Sequence, residues 1–207
     1  MNQPAENAQL TKGERTRMRI LEVAEAMFAA QGYEAATLRD IAGEVPIQQP
    51  GLYNYFETKD DLYGAVIEKV FKKMLESLVA FSHESDAAQR IEELPARALG
   101  YLAEHPLSAK LLYRELLKND DHIHPVMKRW LTQLLNAATE PMGDLPVSRR
   151  DQIVAVVTMY SAVTGFFAIG PTLASLMGEA LDFDADGPTH LKLLQRYARV
   201  TLPGGTQ

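Results

Sequence analysis

Residues 37–61 read TLRDIAGEVPIQQPGLYNYFETKDD. Two short helical segments, at 38–45 and about 49–55, are separated by only three residues. A further helix start, Thr58, Lys59, Asp60 and Asp61, follows at once. That spacing suits a helix-turn-helix, in which the second short helix enters the major groove of DNA. It points to DNA binding more strongly than any other motif here points to catalysis.

The flanking residues support a helical frame. Thr11 with Glu14 forms a capping-box pattern for a first helix that carries Leu21, Ala24 and Phe28 on one face and stops at Gly32. Thr37 with Asp40 and Thr58 with Asp61 repeat the cap pattern for the helices at 38–45 and from 58 to about 81. Beyond a polar break at 82–89, helical periodicity continues over about 90–104, 107–118, 124–139, 149–178 and 188–201. Pro106, Pro125, Pro141 and Pro146 mark starts and connections. Strand alternation and Asn-Gly or Asp-Gly hairpin turns are missing. The expected class is all-α. Residues 1–10 form a flexible arm, 11–57 a three-helix helix-turn-helix domain, and 58–207 a second helical bundle.

Composition narrows the chemistry. There is no cysteine, which removes thiol catalysis and cysteine-ligated zinc. The polar N-terminus has no apolar stretch of the kind a secretory signal needs, so a cytoplasmic location is expected. The net charge is −6. In the first 63 residues Lys12, Arg15, Arg17, Arg19, Arg39 and Lys59 face ten carboxylates. DNA binding must therefore depend on where individual charges point and not on a broad basic field. His122-x-His124 lacks the i, i+4 spacing of a helical metal pair, and no Gly-rich phosphate loop, H-E-x-x-H or G-x-S-x-G occurs. His83, His105 and His190 are isolated and expected to be exposed. No catalytic residue, metal or cofactor is expected.

Thr37, Ile41, Ala42, Ile47, Leu52, Tyr53, Tyr55, Phe56, Lys59 and Leu62, preceded by Phe28, Gly32 and Tyr33, stand as they do in the TetR family of transcriptional regulators. The resemblance covers about residues 14–65; the rest is similar only in length, helical content and order. The residues agree physically. Ile41, Ala42, Ile47, Leu52 and Phe56 form a small core that fixes the angle between the two short helices. Thr37 caps one and can meet a phosphate, and Lys59 offers a point charge. Tyr53 and Tyr55 reach phosphates in similar proteins. Gln48, Gln49 and Asn54 are suited to adenine edges, and Pro50 to a thymine methyl. Pro46 stands where the family has glycine, and Gln48 where it has a serine or threonine cap. Gln is a poor N-cap and Gly51 lowers helix propensity, so a short recognition helix is expected.

The resemblance implies double-stranded, palindromic operator DNA as partner, with a small-molecule effector bound in the C-terminal bundle. Within its apolar and aromatic residues, Met74, Leu78, Tyr113, Glu115, Tyr160 and Thr164 are the candidates for a ligand pocket. Residues 153–177 hold no charge over 25 positions, long enough to cross a bilayer. Thr158, Ser161, Thr164, Gly165, Gly170, Pro171, Thr172 and Ser175 dilute that stretch, and no membrane association is expected. A helix apolar all round also suits one facing its own core and a second copy. In TetR-like proteins the last two long helices form such an interface, which implies a homodimer through about 149–178 and 188–201. The expected function is a DNA-binding transcriptional regulator, a repressor released by its effector, and not an enzyme. The alternative is a helical ligand-binding protein or small enzyme that has lost DNA binding.

Overall fold

The computed structural model describes residues 11–47, 49–80, 87–118, 123–140, 143 and 146–201, and every regular element among them is helical. Two compact units, Met1–Lys69 and Val70–Gln207, divide the chain.

In the first unit α1 runs Lys12–Gln31. Its capping box is formed in both directions: the Glu14 N–H donates to Thr11 Oγ1 at 3.2 Å and the Thr11 N–H to Glu14 Oε2 at 2.7 Å. The Thr11 N–H and, at 2.8 Å, the Thr11 hydroxyl both donate to Glu14 Oε2 and hold that carboxyl below its ordinary pKa. Gly32 ends the helix at φ 87°, a backbone conformation that disfavours a side chain. α2 spans Leu38–Gly43 and α3 Gln49–Leu52. α4 spans Lys59–Val79 and runs through the boundary between the units. It starts on a second reciprocal box, with Thr58 N–H to Asp61 Oδ2 at 3.1 Å and Asp61 N–H to Thr58 Oγ1 at 3.0 Å.

Ile20, Ala24, Phe28, Ile41, Leu52 and Leu62 are fully sealed from solvent, and Ala42 and Phe56 nearly so. The aromatic rings of Phe28, Tyr33 and Tyr63 close this core, Phe28 meeting Tyr63 edge-on at 4.9 Å. A Lys69–Glu25 ion pair at 3.0 Å ties α4 to α1.

In the second unit α5 is Ala87–Glu104, α6 Pro106–Leu116 and α7 Pro125–Thr139. Both prolines open their helices, where the missing N–H has no bond to lose. α8, Arg149–Ala168, begins on Ser148, whose Oγ accepts from the Asp151 N–H at 3.2 Å. It packs against α5, α6 and α7. Two helices follow it, α9 at Gly170–Leu176 and α10 at Phe183–Thr201, and both also lie against α8.

Two expectations are corrected here. The stretch 149–178 is not one helix: it breaks at Ile169 between α8 and α9. Pro171 cannot donate to the carbonyl four residues back, so the α8 ladder ends with Ile169 N–H to Gly165 O at 3.0 Å. A Cβ on Gly170 would lie 2.9 Å from Leu181 Cδ2, the end of a side chain that would have to shift. The last helix starts five residues before Pro188. Asp182 Oδ1 accepts from the N–H groups of Asp184 and Ala185 at 2.9 and 3.2 Å and sets its start. The proline that suggested a start is tolerated inside the helix. Phe81, His83 and the arm at 1–10 lie outside the described residues. Of the break expected at 82–89, residues 82–86 lie outside them too, while 87–89 are helical, because α5 starts at Ala87.

Candidate functional site

Each unit carries one candidate site. In the first, α1 packs on α2 and α2 on α3. Ile41 and Leu52 turn inward, which leaves the opposite faces of the two short helices to water. Pro50 and Asn54 are exposed, and Tyr53 presents about half its surface (48%). Tyr55 is half-buried. α3 has only four residues and ends in a tight turn, with Tyr55 N–H and Phe56 N–H both donating to Leu52 O at 2.9 and 3.1 Å. Gly51 lowers the helix propensity of this segment. A Cβ on Gly51 would meet only Ile47 Cβ, at 3.7 Å, so no close approach requires glycine there. Gln49 heads the helix, while Gln48 lies outside the described residues.

Thr37 caps α2 as expected, the Asp40 N–H donating to its Oγ1 at 3.1 Å. Its hydroxyl in turn donates to Asp40 Oδ2 at 2.6 Å. A phosphate here would have to compete with that carboxylate or use backbone N–H groups. Lys59 is also engaged. Its Nζ donates to Glu34 O at 3.1 Å and sits 4.3 Å above the Tyr33 ring. The contacts fix the ammonium at the start of α4 and leave it further donors. Tyr33 also donates to Asp60 Oδ1 at 3.4 Å, and burial and then Asp60 raise its pKa. Sequence reasoning gave no role to Arg17 and Arg39. Arg39 is exposed on α2, and the Arg17 guanidinium stands 5.0 Å over Phe56, the ring that closes the turn after α3. The proximity of Arg17 to the turn is not a property of linear spacing.

The second unit holds a cavity of about 90 Å³ between α4, α5, α7, α8 and α10. Met74 and Leu78 form one wall, Leu94, Pro95, Ala98 and Leu102 another, Leu134, Leu135 and Ala138 a third. Met159, Tyr160, Val163 and Thr164 on α8, with Tyr197, complete it. Four of the six expected ligand residues therefore share one space: Met74, Leu78, Tyr160 and Thr164. Tyr113 and Glu115 do not line it. Glu115 is fully buried, paired with Lys118 at 2.6 Å, and accepts from the His124 N–H at 3.0 Å. It joins the end of α6 to the start of α7, a structural task for a carboxylate that sequence reasoning had assigned to ligand. His124 Nδ1 accepts from the Val126 N–H at 3.2 Å and caps α7; His122 lies outside the described residues.

His190 is not the exposed residue its isolation suggested. It is half-buried, stacked on Phe166 at 4.2 Å, with Nε2 3.2 Å from Ala162 O. Burial lowers its pKa, so it is neutral near pH 7 and Nε2–H donates to that carbonyl. α8 is long and apolar enough to cross a membrane, the one such helix among the described residues.

Residues 20–66 match the family described as bacterial regulatory proteins, tetR family. An HTH-type transcriptional repressor of Streptomyces coelicolor is 35% identical over 102 residues, 49% of this chain and 50% of that protein. A probable acrEF/envCD operon repressor of Escherichia coli K12 is 29% identical over 121 residues, 55% of each chain. The matched segments thus span about half the length of these relatives. A TetR-like transcriptional regulator from Rhodococcus sp. RHA1 superposes with a TM-score of 0.69 over 92% of this chain and 96% of its own, at 20% identity. At that identity the likeness is one of fold, and it extends the all-α architecture beyond the matched N-terminal domain.

Proposed function

We propose, from an N-terminal domain that belongs to the tetR family of bacterial regulatory proteins, that this chain is a sequence-specific DNA-binding transcriptional regulator. It acts as a repressor released by a small molecule in the C-terminal cavity. The observation that carries this reading is the outward face of α2 and α3. Pro50 on α3 and Tyr53 and Asn54 in the turn that follows it are exposed, while Leu52, the inner residue of that helix, is fully buried. Exposed side chains on a rigidly seated short helix are what major-groove reading needs. Gln49, Asn54 and Pro50 read base edges, with Gln48 before them in the chain. Tyr53, Tyr55, Lys59 and the α2 start at Thr37 hold phosphates, joined by Arg17 and Arg39.

The mechanism runs along α4. Lys59 opens that helix, and Met74 and Leu78, on the cavity wall, lie on it further along. A ligand that pushes on Met74 and Leu78 shifts the helix that positions Lys59, and it releases DNA if it favours the shifted state. A homodimer through α8, α9 and α10 places two reading heads on a palindrome. Ile153, Val154 and Val157 on α8, with Leu173, Leu176 and Met177 at α9, are at least about half exposed and supply the apolar face that interface needs. A regulator of this kind works in the cytoplasm.

A band-shift with the DNA flanking its own coding region tests the reading. A retarded complex competed by the same unlabelled DNA, and not by unrelated DNA, is expected. No complex at micromolar protein would favour the second reading, a ligand-binding protein without DNA binding. That reading draws on the ten carboxylates against six cations in the first 63 residues.

A further inference from the structure

We infer that the cavity ligand is uncharged and apolar, with one hydrogen-bonding group that pairs with the Tyr160 hydroxyl. This rests on the reading of the cavity as the effector site. No residue of the wall carries a charge, so a carboxylate or ammonium placed there would lose its hydration with nothing to replace it. Almost all of the wall is hydrocarbon and thioether, as at Met74, Leu102, Met159 and Val163. The two hydroxyls that α8 contributes differ. Thr164 donates to Tyr160 O at 2.7 Å and is committed to its own helix. The Tyr160 hydroxyl is sealed from solvent and has no hydrogen-bond partner among the described residues. A buried hydroxyl without a partner costs stability, and the side chain that bears it lines the cavity. Burial also raises its pKa, so it is protonated at neutral pH and donates. A ketone, ester or ether oxygen on an otherwise apolar skeleton meets these conditions.

The test uses the full-length protein and three probes of similar size: acetophenone, ethylbenzene and benzoate. Binding is measured by calorimetry for the wild type and for Tyr160→Phe. The acetophenone-to-ethylbenzene affinity ratio should fall about fivefold in the variant, the worth of one neutral hydrogen bond. Benzoate should bind at least tenfold more weakly than acetophenone to the wild type. Unliganded Tyr160→Phe should melt no lower than the wild type, because it removes a hydroxyl that has no partner. An unchanged ratio, a preference for benzoate, a lowered Tm, or no binding of any probe at millimolar concentration would each overturn the inference. Acetophenone binding with the expected ratio but without release of DNA would leave the ligand class standing and remove the regulatory reading instead.

Discussion

In the N-terminal unit Ile20, Ala24, Phe28, Ile41 and Leu52 are fully buried, and among its described residues Met18 and Tyr53 are the large apolar or aromatic side chains left in water. The C-terminal unit distributes such residues over three kinds of surface. Phe71, Leu111, Leu112, Met127 and Phe167 are core. Met74, Leu134, Met159 and Val163 line an empty space. Ile153, Val154, Val157, Leu173, Leu176, Met177 and Leu193 face water. A small domain commits its apolar residues to holding itself together, so its working groups are polar and identifiable by type. The C-terminal bundle places one residue type in core, on a cavity wall and on an exposed face. Only the face of the helix distinguishes them.

The largest expected effect tests the first half of that contrast. Phe28→Ala, at a fully buried ring packed on Tyr63, should cost about 3–5 kcal/mol in urea unfolding. A loss below about 1 kcal/mol would mean that this core is not the sole support of the N-terminal unit. The second half is tested at α8. Val157→Glu changes a side chain 52% exposed, so it should spare the fold while raising the dimer dissociation constant about a hundredfold, or about 2.8 kcal/mol, in sedimentation. Met159→Glu, into the cavity wall, should damage folding instead. If the two variants behaved alike, the division between lining and interface would fail.

Smaller effects sharpen the N-terminal side. Thr58→Ala removes a reciprocal cap and should cost about 1 kcal/mol by thermal melting. Gly51→Ala should stabilise α3 by about 0.5–1 kcal/mol, since the added methyl finds only ordinary contact with Ile47. Weaker DNA binding by a better-formed α3 would show that glycine is required for approach to DNA. The smallest effect concerns His190, whose folded-state pKa is lowered by burial. Its contribution is present above its unfolded pKa of about 6.5 and is lost as pH falls through the lower folded value. Replacing it with Phe should flatten the acid side of the stability–pH curve below about pH 6.5; an unaltered slope would mean that the ring is protonated without penalty.

Legibility from sequence follows the same division. The caps at Thr11, Thr37 and Thr58 were readable because a hydroxyl three residues before a carboxylate is a local geometry, formed in the structure as spaced in the chain. Leu21, Ala24 and Phe28 on α1 followed from helical period, and Ile41, Ala42, Leu52 and Phe56 from the family resemblance; Ile47, expected with them, is only half-buried. Glu115 and Tyr113 do not line the cavity with the other four, because pocket membership depends on which way a helix is turned in the bundle. Glu115 turns instead toward Lys118 and the start of α7. The break at Ile169 could have been read from Gly170 and Pro171, but a run of apolar residues concealed it. The stacking of His190 on Phe166 joins α10 to α8 and leaves no trace in spacing.

The central claim is that α3 reads bases while its flanks hold phosphates. Selection of bound sequences from a random duplex pool tests it most directly, with wild type, Asn54→Ala and Lys59→Ala in parallel. The wild type should enrich two inverted half-sites. Asn54→Ala should relax one position in each, at a cost of about 1–3 kcal/mol. Lys59→Ala should keep the preferred sequence, weaken all sites alike and reduce the salt dependence by roughly one counterion per half-site. Enrichment of no sequence, or of a single unrepeated one, would contradict a dimeric reader. A changed base preference in Lys59→Ala with the salt slope intact would contradict the assignment of phosphate and base contacts.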